Sequence, residues 1–127
     1  MATIVIDKNM TTTFLILLTH FVSDFILQTD KQAVNKGKSV YWLSMHVLTY
    51  TLGFAVFVQL YVGWSVKSLD WLLLNCFLHW TVDLVTSRVN SYLWSKNWRH
   101  WFFVGIGADQ LIHYACLLFT YEWLILK

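Results

Sequence analysis

Proline is absent from the chain, which excludes proline kinks from its helices, and charged residues make up only 13%. Soluble globular proteins average about 25% charged residues, so this scarcity argues against a water-soluble globule. The net charge of +2 is too small to indicate a nucleic-acid partner. Two cysteines, Cys76 and Cys116, both lie in apolar segments, which disfavours a disulfide framework. In their place the chain has 57% apolar residues, 18% aromatic residues and a mean hydropathy of +0.53.

The apolar residues form blocks long enough to cross a bilayer. A membrane-spanning helix needs about 17–25 residues, and the blocks at 11–27, 40–63, 71–88 and 101–125 fit that length. They lack the period-two alternation of barrel strands, and polar residues do not recur through them at the spacing of soluble amphipathic helices. The 127 residues therefore predict a single domain with an all-α fold, an integral membrane four-helix bundle.

Basic residues in the connections predict the orientation of the bundle. Lys and Arg concentrate in cytoplasmic loops, and six of them flank or occupy the first and third loops against three elsewhere. We therefore expect an inner-membrane protein with loops 28–39 and 89–100 in the cytoplasm and both termini outside. The six are Lys31, Lys36, Lys38, Arg88, Lys96 and Arg99, and the other three are Lys8, Lys67 and Lys127.

Ionisable residues inside the spans occur as His/Asp pairs at i, i+4 spacing. This spacing places both side chains of a pair on one helix face. Charged residues in spans rarely face lipid, so these faces are expected to form a buried His/Asp polar core. The residues are His20 with Asp24, His79 with Asp83, Asp109 with His113, and His46 in the second span.

The order within each pair predicts a layered arrangement. The first and third spans run towards the cytoplasm and have His before Asp, whereas the fourth runs outwards and has Asp before His. All three carboxylates are therefore expected about 6–12 Å from the cytoplasmic ends of the helices, with the imidazoles mostly deeper. Chance placement is not expected to produce matching layers from helices of opposite direction.

Imidazole nitrogen and carboxylate oxygen are ligands of zinc, and of manganese or iron where oxygen donors dominate. The sequence therefore predicts a divalent metal site, and its candidate ligands exceed the four that one tetrahedral zinc ion uses. Either two metal ions bind or some of the residues orient the ligands. The candidates are His20, Asp24, His46, His79, Asp83, Asp109 and His113.

Two classes of function remain open from the residues alone. The first is a membrane-embedded metal site, a candidate metal-dependent hydrolase, acting on a lipid-like substrate near the cytoplasmic leaflet. The second is a non-enzymatic module, either a small proton-coupled carrier or a phage-type factor that modifies the envelope. His–Asp pairs also occur as hydrogen-bonded networks that hold helices together without a metal. The bilayer is the expected partner in each case, and a unit of this size is compatible with a homo-oligomer.

Several of these segments resemble the motifs of the domain-of-unknown-function 3307 family. They are His20-Phe-Val-Ser-Asp24-Phe-Ile-Leu-Gln28-Thr-Asp30, His46-Val-Leu-Thr-Tyr50, His79-Trp-Thr-Val-Asp83 and Asp109-Gln110-Leu-Ile-His113. The resemblance covers nearly the whole chain. It implies a small bacterial or phage multipass membrane protein and singles out the same polar residues, but it implies no reaction.

Overall fold

A computed structural model describes residues 8–127, which form five α-helices and contain no strand. The prediction of an all-α fold is therefore confirmed. Helices α1, α3 and α5 each end in a π-helical turn, at Val22–Ile26, Val58–Val62 and Glu122–Leu126 respectively. The α-helices are α1 (Lys8–Phe21), α2 (Asp30–Asn35), α3 (Val40–Phe57), α4 (Val66–Ser95) and α5 (Arg99–Tyr121).

Polar side chains mark the points where helices begin. Thr29 starts α2 with a capping box, in which its side chain accepts from the Gln32 backbone and the Gln32 side chain accepts from the Thr29 backbone. Ser65 forms the equivalent arrangement with Ser68 at the start of α4. The tight turn between α4 and α5 places Asn97 at φ 60°, a conformation that asparagine tolerates better than most residues. These local signals set the lengths of the connections.

The interior of the bundle is divided into an apolar half and a polar half. The apolar half lies towards the start of α4 and the end of α5, where buried Trp71 contacts the aromatic rings of Phe54, Phe57 and Tyr121. Trp71 also donates a hydrogen bond from its indole nitrogen to the Leu117 carbonyl, 3.3 Å away. The polar half lies at the opposite end, beneath α2 and the turn before α5.

Helix α2 is fixed over the polar end of the bundle by its contacts with α3. The buried Gln32 side chain donates hydrogen bonds to Thr49 Oγ1, at 3.0 Å, and to the Met45 carbonyl, at 3.4 Å. The short helix and the residues after it therefore lie next to the predicted His/Asp core.

Within residues 8–127, two helical segments are long and apolar enough to cross a membrane, namely Val40–Val62 and Arg99–Leu126. They correspond to the second and fourth predicted spans. Helix α4 extends beyond the third predicted span at both ends and carries a polar stripe that lowers its mean hydropathy. The four-span arrangement therefore stays a prediction.

Candidate metal centre

The three His/Asp pairs have the geometry that their spacing predicts. Within α4, His79 Nε2 lies 3.6 Å from Asp83 Oδ2, and within α5, His113 Nε2 lies 3.3 Å from Asp109 Oδ1. His20 Nε2 lies 3.5 Å from Asp24 Oδ2 across the junction between α1 and its π-helical turn. Such widened turns are frequent at functional sites, and this one contains Asp24. Each helix thus presents a carboxylate and an imidazole on one face.

Four of these side chains converge on one point from three helical segments. His46 Nε2 lies 3.0 Å from Asp24 Oδ1, 3.3 Å from Asp83 Oδ2 and 3.2 Å from His79 Nε2. His79 Nε2 is 3.6 Å from the same oxygen of Asp24 and from the same oxygen of Asp83. All four side chains are buried, with at most 2% of their surface exposed.

The separations of these four donor atoms match those of a tetrahedral zinc site. Four ligands about 2.0–2.1 Å from a central zinc ion lie about 3.3–3.4 Å from one another. The five separations given above range from 3.0 to 3.6 Å, and all four donor groups lie within 4.8 Å of one another. The residues present therefore suit one ion of this size and ligand preference.

A second group of donors shares Asp83 with the first. The other oxygen of this carboxylate, Oδ1, lies 3.0 Å from His113 Nε2, which in turn lies 3.3 Å from Asp109 Oδ1. These three residues also lie close enough together to hold an ion. Six of the seven residues that the sequence singles out thus belong to one or both groups.

His20 is the seventh residue, and it belongs to neither donor group. Its Nε2 lies 2.8 Å from Gln110 Oε1, which is an acceptor, so Nε2 carries the proton and donates. Tyr50 then donates from its hydroxyl to His20 Nδ1, 3.1 Å away. Because both ring nitrogens are engaged in this way, His20 positions Gln110 in this structure. Whether His20 also contacts a metal stays a prediction.

Gln110 connects the carboxylates of two helices. Its amide nitrogen donates to Asp24 Oδ2 and to Asp109 Oδ2, each at 3.1 Å. In this orientation the amide oxygen of Gln110 accepts from His20, so both the oxygen and the nitrogen of the amide have suitable hydrogen-bond partners. Thr86 Oγ1 donates a further hydrogen bond of 2.5 Å to Asp109 Oδ1. Neutral donors therefore hold the carboxylates of Asp24 and Asp109 in place.

Lys36, from the segment after α2, points its ammonium group into the cluster. Nζ lies 3.0 Å from Asp83 Oδ2, 3.3 Å from His46 Nε2 and 3.9 Å from Asp24 Oδ1. Two effects act on the pKa of Lys36. Burial on its own would lower the pKa, but the negative charges of Asp83 and Asp24 have the larger combined effect, so the pKa is raised above its ordinary value. The lysine is therefore charged at neutral pH and neutralises part of the carboxylate charge.

The approach of Lys36 depends on the glycine that follows it. A Cβ atom at Gly37 would lie 2.7 Å from the backbone oxygen of Ser87 on α4, so only glycine fits without displacement. The sequence assigns Lys36 to the basic residues of the first loop, and nothing in its local pattern distinguishes it from Lys31 or Lys38. The adjacent glycine is the one local signal of a close approach.

A cavity of about 770 Å³ extends from the cluster towards the connections at the polar end of the bundle. Asp24, Asp83 and Asp109 line the cavity on the side of the cluster, together with Gln110 and Lys36. Its walls are largely apolar and are formed in part by Phe25, Val34, Trp94, Phe102, Phe103 and Ile106. The cavity thus combines largely apolar walls with a group of charged and polar side chains next to the cluster.

Comparisons with known proteins support the resemblance inferred from the motifs. A family model described as protein of unknown function (DUF3307) matches residues 12–127. That range contains every residue of both donor groups. A search of curated proteins and a search of solved structures each found no match.

Proposed function

The chain belongs to the DUF3307 family of proteins of unknown function, and we propose that it is a multipass membrane protein with a divalent metal site inside its helical bundle. Asp24, His46, His79 and Asp83 are the ligands of this site. Zinc is the metal that best suits two imidazoles and two carboxylates in tetrahedral arrangement. The observation that carries the proposal is the match between the separations of the donor atoms and a zinc tetrahedron.

The distribution of polar and apolar side chains supports the membrane part of the proposal. Charged groups lie inside the bundle, whereas Leu52, Phe77, Leu111 and Phe119 are between 59% and 72% exposed on its outer surface. This arrangement suits lipid as the surrounding solvent, and large apolar surfaces are costly in water. Helix α4 contributes to it through Phe77, although its polar stripe lowers its mean hydropathy.

The apolar half of the bundle favours a metal site over a proton-coupled carrier. A carrier needs polar groups or water along the whole path between the two sides of the membrane. Among residues 8–127, the buried polar side chains beyond the cluster at this end are Asn75 and Ser68, and the side chains packed there include Phe54, Phe57 and Trp71. The cluster is accessible from the cavity at the other end, which suits the binding of an ion and a substrate from one side.

Hydrolysis of an ester in an amphipathic, lipid-like substrate is the reaction we propose for this site. The apolar walls of the cavity suit an acyl chain, and its inner end presents the carboxylates. A divalent ion held by these residues would acidify a bound water molecule and polarise a carbonyl oxygen. Because the four protein ligands fill a tetrahedron, this chemistry would require a fifth coordination position that opens towards the cavity. In the reaction, water oxygen bonds to the acyl carbon and the bond from that carbon to the alcohol oxygen breaks. The proton that the water releases passes to the departing alcohol oxygen.

Metal content is the test of the binding site. Detergent-purified protein, stripped of metal and dialysed against zinc, is expected to retain zinc, and His79→Ala is expected to lose most of it. His100→Ala is the matched control because His100 is exposed and belongs to neither donor group. Background zinc in the wild-type protein, or equal zinc in both variants, would contradict the proposal.

The proposed reaction has a separate test. Zinc-loaded protein is expected to hydrolyse p-nitrophenyl octanoate faster than p-nitrophenyl acetate, because only the longer acyl chain fills the apolar cavity. Asp83→Asn is expected to abolish the activity. Release of nitrophenol that does not depend on zinc would refute the reaction and leave the binding site intact.

A further inference from the structure

We propose that a second metal ion binds between Asp83, Asp109 and His113, so that Asp83 bridges two ions through its two carboxylate oxygens. This inference rests on the proposed function, because the first ion is the one held by Asp24, His46, His79 and Asp83. It assigns a role to the donor group that the first site leaves unused.

The two oxygens of Asp83 face different sets of ligands. Oδ2 lies 3.3 Å from His46 Nε2 and 3.6 Å from His79 Nε2, whereas Oδ1 lies 3.0 Å from His113 Nε2. A carboxylate in this position supplies one oxygen to each of two ions.

The imidazole rings of His79 and His113 are stacked in a way that suits two adjacent ions. Their centroids are 4.1 Å apart and their planes differ by 21°. The two rings are nearly parallel, and Nε2 of His79 lies near Asp83 Oδ2 while Nε2 of His113 lies near Asp83 Oδ1. Ions in two-metal sites lie about 3.5–4 Å apart, which is close to this ring separation.

Asp109 completes the second donor group and is held in place from both sides. Thr86 Oγ1 donates to its Oδ1 at 2.5 Å, and the Gln110 amide donates to its Oδ2 at 3.1 Å. Asp109 also reaches the cavity, from which water or a substrate oxygen can supply further ligands. Because oxygen donors outnumber the single imidazole here, manganese suits this position better than zinc.

Manganese titration of metal-free protein tests the second position. Equilibrium dialysis is expected to give two manganese ions per wild-type chain and one per Asp109→Asn chain. Glu122→Gln is the control, since it removes a carboxylate from the exposed π-helical end of α5 and is expected to keep two ions. Frozen wild-type samples are expected to give the electron paramagnetic resonance spectrum of an exchange-coupled pair, which reports the bridge independently of stoichiometry.

The possible outcomes separate this inference from the proposed function. One ion per wild-type chain, lost in His79→Ala and retained in Asp109→Asn, overturns the second position and leaves the first intact. Two ions without exchange coupling overturn the bridging role of Asp83. Absence of manganese from the wild-type protein overturns the second position, whereas the first position is decided separately by the zinc retention of the wild-type protein and of His79→Ala. Circular dichroism verifies that each variant is folded, and the coupled spectrum of the wild-type protein tests the bridge without any substitution.

Discussion

The substitution Lys36→Met tests whether the lysine ammonium and a metal ion compete for the same donors. Nζ lies 3.0 Å from Asp83 Oδ2 and 3.3 Å from His46 Nε2, both of which are proposed ligands of the first ion. The ammonium group must therefore withdraw before an ion binds between them. Methionine retains an unbranched side chain of similar volume and removes the charge.

The size of the effect follows from the contacts that the lysine makes. A hydrogen bond to a charged group contributes about 1.5–3 kcal/mol. Because about 1.4 kcal/mol corresponds to a tenfold change in a dissociation constant, Lys36→Met is expected to bind zinc about 10- to 100-fold more tightly. The metal-free variant is expected to lose up to about 3–5 kcal/mol of unfolding free energy, since the buried carboxylates of Asp24 and Asp83 then lack the partly exposed ammonium group of Lys36.

Competition with a chromophoric chelator measures the zinc dissociation constant of each protein. Lys38→Met is the matched control because Lys38 is exposed and next to the cavity, and it is expected to bind zinc like the wild type. Thermal unfolding with and without zinc measures stability, and the zinc-induced rise in Tm is expected to be larger for Lys36→Met. Equal or weaker zinc binding by this variant would refute the competition.

Four further outcomes are expected. Gln110→Ala removes the amide that holds two carboxylates, and chelator competition should show zinc binding weakened about 10- to 100-fold; unchanged binding would exclude the positioning role. Trp71→Ala should lower the unfolding free energy by about 3–5 kcal/mol, measured by denaturation, with zinc stoichiometry retained. The double substitution His79→Leu with Asp83→Leu should give a folded protein by circular dichroism that binds no zinc; retained zinc would contradict the ligand assignment. A cysteine at Asn97, in a variant without the native cysteines, should resist an impermeant thiol reagent applied to intact cells, and rapid labelling would reverse the predicted orientation.

The local features of the site could be predicted from the sequence because they depend on helix geometry alone. The spacing of His79 and Asp83, and of Asp109 and His113, fixes which side chains share a face whatever the helices contact. The reversed order of the pair on α5 likewise predicts that its carboxylate, Asp109, lies at the same end of the bundle as Asp83, and both residues line the same cavity.

The sequence could not show which residues of the cluster are metal donors and which hold other side chains in place, because this depends on contacts between residues that are distant in the sequence. His20 has the same i, i+4 pairing with an aspartate as His79 and His113, but its ring nitrogens are engaged by Tyr50 and Gln110 from two other helices. Lys36 enters the cluster because Gly37 permits a close approach to α4. Neither arrangement leaves a periodic signal in the sequence.

X-ray absorption at the zinc edge, on protein loaded with one equivalent of zinc, tests the central claim most directly. The donor set of Asp24, His46, His79 and Asp83 predicts nitrogen and oxygen ligands at about 2.0–2.1 Å, with the outer-shell scattering of two imidazole rings. In His79→Ala the contribution of one imidazole is expected to disappear. Sulfur scattering at about 2.3 Å would place the ion on a cysteine instead, and a spectrum of hydrated zinc would mean that the cluster holds no metal.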